Sequence, residues 1–118
     1  MINYLYPQEI KLLQKSRVLE IQFSNGEKFI LSCEYLRVFS PSAEVKGHGQ
    51  FKGKLVPNKK NVNILSIEPV GHYAVKLLFD DGHNTGIYSW ETLYDLGMHY
   101  KKYWQHYLQR LKMANASR

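Results

Sequence analysis

Two five-residue runs constrain this chain more than anything else in it: Phe23-Ser24-Asn25-Gly26-Glu27 and Phe79-Asp80-Asp81-Gly82-His83. Each sets an Asx-Gly pair between apolar stretches. Such a pair supports a tight hairpin, because a type I′ turn needs positive φ at both central residues. Before the first run, Leu19, Ile21 and Phe23 alternate with Val18, Glu20 and Gln22, which predicts a strand with one buried face. Lys28 to Leu31 returns. Before the second run, Val75, Leu77 and Phe79 share a face, and Thr85 to Tyr88 returns. Each return reaches a serine, Ser32 or Ser89, whose hydroxyl can cap a helix. Glu34 and Glu91 then sit in the first turns, where the helix dipole favours an anion. The second copy is about one residue longer between its glycine and its serine, which suggests a bulge at Gly86.

The remaining segments attach to these two units. Met1 to Arg17 is a lead-in that reads either as a short turn or as an extended arm. The first helix places Tyr35, Leu36 and Phe39 to one side, and Pro41 stops it. Ser40 to Lys60 reads as a long loop with glycines and lysines concentrated between Lys46 and Lys54. Val62 to Val70 is a strand. Gly97 is the expected C-cap of the second helix. Tyr100 to Met113 is a helix in which Tyr103, Tyr107, Arg110 and Ala114 mark one stripe with Trp104, Leu108 and Leu111 beside it, and Lys101, Lys102, Gln105, Gln109 and Lys112 fall opposite. Ala114 to Arg118 is expected to fray. The expected fold is α+β: antiparallel hairpins forming a small sheet, packed with two short helices and a C-terminal helix. One domain spans residues 1–118, with its core at about 17–97 and the last helix at about 100–113.

Composition narrows the function classes. With 118 residues the chain suits one core. A single cysteine, Cys33, excludes an intramolecular disulfide and a cysteine-rich metal site built from one chain. The N-terminus lacks a secretory pattern, and no apolar run nears the roughly 18 residues that span a bilayer. A cytoplasmic protein without membrane partners is expected. The net charge of +6 and pI of about 9.4 favour anionic partners, nucleic acid among them.

Chemistry centres on the second hairpin. His83 follows Asp80-Asp81-Gly82, and a histidine beside carboxylates can bind a metal or shift its pKa; it can equally be an exposed turn residue. His48 lies between glycines in the long loop and could complete a site with His83. His99 and His106 are seven apart and could face one way. Cys33 stands at the first position of its helix, where a thiolate is favoured, or is a small packed residue. No nucleophile elbow, phosphate loop, dinucleotide fingerprint or His-Glu-x-x-His run is present, so an independent enzyme is not supported.

Leu36-Arg37, Ser40-Pro41-Ser42-Ala43-Glu44-Val45 and Asp81-Gly82-His83…Gly86-Ile87-Tyr88-Ser89-Trp90…Leu93 together resemble the gamma-butyrobetaine hydroxylase-like N-terminal domain family. The resemblance covers about Val18 to Leu96. In gamma-butyrobetaine and trimethyllysine hydroxylases, a similar domain precedes the catalytic one and holds structural zinc through a cysteine cluster and a later histidine. His83 matches that histidine. Ser40, Ser42 and their neighbours stand where the cysteines would fall, and hydroxyls are poor zinc ligands. Similar domains also look fused to P-loop ATPases that carry iron–sulfur clusters. The resemblance therefore implies a non-catalytic accessory or interaction module linked to iron–sulfur or metal handling, with an iron–sulfur carrier ATPase as one partner class. No cofactor is expected, zinc or iron at His83 being the exception to test. The expected binding patch is exposed and comprises Arg37, Asp81, His83, Tyr88 and Trp90. Two other readings stand beside it: a basic nucleic-acid-binding protein, and a metal-binding domain partnering a 2-oxoglutarate oxygenase.

Overall fold

The computed structural model describes residues 4–42 and 54–118. His48 and the Lys46–Lys54 glycine and lysine cluster, apart from Lys54 itself, lie outside the described residues. The fold is α+β, and its strands fall into two sheets. Strands β1 (Pro7–Leu13), β2 (Val18–Phe23) and β3 (Lys28–Ser32) form one antiparallel sheet in that order, followed by helix α1 (Cys33–Val38). Strands β4 (Ile64–Val70), β5 (Ala74–Phe79) and β6 (Ile87–Ser89) form the other, followed by α2 (Trp90–Met98) and α3 (Tyr100–Met113).

The chain thus builds strand-strand-strand-helix twice, and the copies agree almost bond for bond. The Phe23 N–H donates to Glu27 O and the Phe79 N–H to His83 O. The Cys33 N–H reaches Arg17 O, and the Trp90 N–H reaches Tyr73 O. Ser32 Oγ accepts from the Tyr35 N–H at 3.0 Å and Ser89 Oγ from the Thr92 N–H at 3.1 Å, as expected of the two caps. Each first strand carries a register shift opposite the end of its partner, between Pro7 and Glu9 and between Ile64 and Ser66. On the outer faces, Lys11 stands across from Glu20, while Glu68 stands across from Lys76.

The hairpin turns differ from expectation in one respect. Within the two Asx-Gly turns the glycines, Gly26 and Gly82, have positive φ, whereas Asn25 and Asp81 do not. Each turn is a three-residue loop whose glycine donates to the phenylalanine carbonyl. The Asx oxygen accepts the N–H two residues on, from Glu27 at 3.0 Å and His83 at 3.1 Å. A three-residue loop is a type I turn followed by one left-handed residue, which is the glycine here.

Both sheets and the helices share one core. Leu19, Ile21 and Phe23 from β2 meet Val75, Leu77 and Phe79 from β5, as the alternation predicts, together with Tyr35, Leu36, Leu93 and Tyr103. Val38, Val56, Tyr107 and Leu111 form a second cluster under α3.

Three other expectations are resolved or corrected. The lead-in is extended and contributes β1, so the folded unit begins before residue 17. Gly97 does not end α2, which runs on to Met98; a Cβ there would lie 2.5 Å from the Phe29 ring. The glycine is present for that close approach. Nor does the tail fray. Arg118 donates to both oxygens of Glu34, at 2.8 and 3.1 Å, and its guanidinium lies 5.4 Å from the Trp104 ring centroid. Glu34 is only 4% exposed, so its carboxylate needs that partner.

Candidate functional site

The second hairpin carries one extra residue, as its sequence suggests. After the bond from Phe79 to His83, the next runs from the Leu77 N–H to Gly86 O. Two steps along β5 therefore match three along the return strand. The return pairs regularly only from Ile87, and the bulge lets His83 and Gly86 face the end of α1.

There the resemblance-matched positions converge. Ser40 Oγ lies 2.9 Å from His83 Nε2, and the Ser42 N–H donates to Ser40 Oγ at 3.2 Å. Ser42 Oγ and Thr85 Oγ1 are 2.7 Å apart. A Cβ on Gly86 would sit 2.5 Å from Ser40 Oγ, so only glycine fits beside this contact. The Tyr88 hydroxyl donates to Leu36 O from a fully buried ring, and burial pushes its pKa up.

Asp81 closes the cluster. It lies 2.8 Å from Arg37 Nε and 2.7 Å from Lys59 Nζ, and its side chain is 17% exposed. Burial works to raise its carboxyl; Lys59, the His83 N–H and Arg37 outweigh that and hold it at about 2. Arg37 Nη1 is buried and has no hydrogen-bond partner among the described residues.

This arrangement corrects the expected exposed patch. Arg37, Asp81, His83 and Tyr88 do come together, but His83 is 6% exposed and Tyr88 is fully buried. They tie the end of α1 to the second hairpin and present little to solvent. Trp90 is elsewhere: Ser89 pairs with Ala74, at the far end of β5 from Asp81, and the indole N–H donates to His72 O at 2.8 Å. Sequence spacing missed Lys59, which comes from the end of the long loop and meets Asp81 across β4 and β5. Zinc also fits poorly. Ser40 is a weak donor already engaged with His83, and the described residues contain no group of three His, Cys, Asp or Glu able to hold a metal. Cys33 is packed in the core, and burial pushes its thiol up, away from a reactive thiolate. His99 is the junction between α2 and α3, with Nδ1 3.0 Å from Asp95 Oδ1.

A groove of about 310 Å³ opens beside Trp90. Glu91, Tyr94, Asp95 and Met98 of α2 form its floor, at the i, i+3, i+4, i+7 spacing of one helix face. Leu5 and Trp90 wall it, and His99 closes one end. Leu93 and Leu96 point from α2 into the core. Tyr4 reaches over to donate from its hydroxyl to His72 O, the acceptor of the Trp90 indole. Tyr4, Tyr73 and Met98 are all at least half exposed. The groove was not legible in the sequence: Met98 lies beyond the helix end that Gly97 suggests, and the wall from Leu5 depends on where the arm lies.

No helix among the described residues is long and apolar enough to cross a membrane. No curated protein matches the chain. Among solved structures, a protein determined by NMR in solution is 59% identical, with a TM-score of 0.84 over 98% of this chain and 86% of that one. A second NMR structure is 42% identical, with a TM-score of 0.82 over 95% and 88%. A crystal structure from Acidithiobacillus ferrooxidans ATCC 23270, described as a protein of unknown function in the DUF971 family, is 43% identical. Its TM-score is 0.66, over 77% of this chain and 91% of that one. The gamma-butyrobetaine hydroxylase-like N-terminal family matches residues 10–94, over both sheets, the bulged hairpin and most of α2. The chain belongs to that family.

Proposed function

We propose that this protein is a non-catalytic interaction module that docks a partner protein at the groove beside α2. One observation carries the reading: the side chains able to do chemistry are buried or bonded within the fold, whereas the apolar groove faces solvent. His83, Asp81 and Cys33 have buried or bonded side chains. Met98 in the groove lining is half exposed, and the exposed Tyr4 shares the His72 O acceptor with the groove's Trp90. Exposed apolar surface around a concavity favours protein contacts. A link to iron–sulfur or metal handling rests on the family resemblance, and an iron–sulfur carrier ATPase is the partner class to try first.

The test compares proteins retained by the immobilised wild type, by Met98→Glu and by Gln109→Glu, all checked for folding by circular dichroism. A partner kept by the wild type and Gln109→Glu but lost from Met98→Glu supports the reading. Identical retention by all three removes the groove from it.

A second reading has its own observation. Lys101, Lys102 and Lys112 lie exposed on α3, which suits nucleic-acid backbones. Binding that falls steeply with salt and weakens in Lys101→Ala/Lys102→Ala would favour it; no gel shift at low salt would dismiss it.

A further inference from the structure

We infer that the groove beside α2 takes a cationic segment of its partner, an apolar anchor residue flanked by lysine or arginine. The inference rests on the docking reading above and adds the partner's chemistry. Charge carries it. The chain has 16 Lys and Arg against 10 Asp and Glu, yet the described lining of this groove holds two carboxylates and no Lys or Arg. The carboxylates of the lining are thus opposite in sign to the net charge of the molecule as a whole. Glu91 is exposed and forms no ion pair or side-chain hydrogen bond among the described residues, so its charge remains available. Asp95 is held in place: it accepts the Tyr103 hydroxyl at 2.9 and 3.1 Å and lies against His99. One unpaired and one fixed carboxylate, a helical turn apart, flank the Tyr94 and Met98 surface.

The groove's size limits the occupant. At about 310 Å³ it is at the lower end of the range for ligand pockets, which runs from roughly 300 to 1,000 Å³. It has room for an anchoring side chain and its immediate flanks, not for a larger folded element. Met98 is unbranched and adapts to the shape of an apolar insert. Trp90 and Tyr94 present aromatic surface to a cation held by Glu91.

Three synthetic peptides of equal length test this, with Leu/Lys, Leu/Glu and Leu/Gln repeats, titrated into isotopically labelled full-length protein. The readout is the amide shifts of residues 90–99 and the Trp90 indole N–H. The Leu/Lys peptide should shift these signals at the lowest concentration, although a protein of charge +6 would by bulk attraction prefer the Leu/Glu peptide. Glu91→Gln should weaken Leu/Lys binding about two- to five-fold, as expected for one exposed ion pair. Equal or tighter groove binding of Leu/Glu or Leu/Gln overturns the cationic assignment and leaves docking standing. No groove shifts with any of the three peptides overturns both. Groove signals that move with protein concentration alone identify a second copy as the occupant and overturn the foreign segment.

Discussion

Single residues show where local rules yield to packing. Gly97 lies inside α2, where alanine would favour the helix by up to about 1 kcal/mol. Its Cβ would instead strike the Phe29 ring at 2.5 Å, and overpacking typically costs about 1–3 kcal/mol. Gly97→Ala is expected to be net destabilising, by roughly 1–2 kcal/mol in denaturant unfolding; a gain would show that Phe29 moves aside freely. The same residue shows why the sequence misleads here. A glycine near a helix end reads as a cap, and the aromatic ring that needs the space is 68 positions away. Asp81 gives a pH prediction. Its carboxyl titrates at 3.8 unperturbed and at about 2 folded. Ionised Asp81 thus favours the folded chain above about pH 4, and that contribution is lost as the pH falls from 3.8 toward 2. Asp81→Asn should lower the unfolding midpoint at neutral pH and flatten its decline in that window. Equal slopes in the two proteins would mean that Arg37 and Lys59 do not act on it.

At the scale of elements, the strands and helices with a strong period were legible. Val18–Phe23 and Ala74–Phe79 alternate because one face of each is buried, and α3 runs from Tyr100 to Met113 as its stripe predicts. β1 was not legible, because it lies at a sheet edge, and although burial alternates from Glu9 to Leu13 the exposed side carries the apolar Leu13, which hides the period in the sequence. The contact of Ser40 with His83 spans 43 positions and leaves no periodic trace; family likeness was the only pointer to it. The tail beyond α3 was misread because its anchor, Glu34, is 84 positions from Arg118. Arg118→Ala should strand a buried carboxylate and destabilise the chain by about 1–3 kcal/mol. Faster amide exchange at the end of α3 should accompany it. Adding Glu34→Gln should recover part of the loss, since the neutral amide is easier to bury; no recovery would assign the effect to packing on Trp104.

For the molecule as a whole, the decisive fact is that neither unit has its own core. The inward faces of β2 and β5 belong to one cluster. Fragments 1–53 and 54–118 should therefore each lack a cooperative unfolding transition and regain one on mixing, followed by circular dichroism. A fragment that melts cooperatively alone would mean two independent domains.

The near-identity of the two units also creates a hazard during folding. β1 could pair with β5, and β4 with β2, since turn, register shift and strand length nearly coincide. The outer-face charges discriminate against both errors. A misplaced β1 would set Lys11 across from Lys76, and a misplaced β4 would set Glu68 across from Glu20, with like charges facing in each wrong assembly. The reversed charge order of the two sheets works as an address, telling otherwise interchangeable strands which partner is their own.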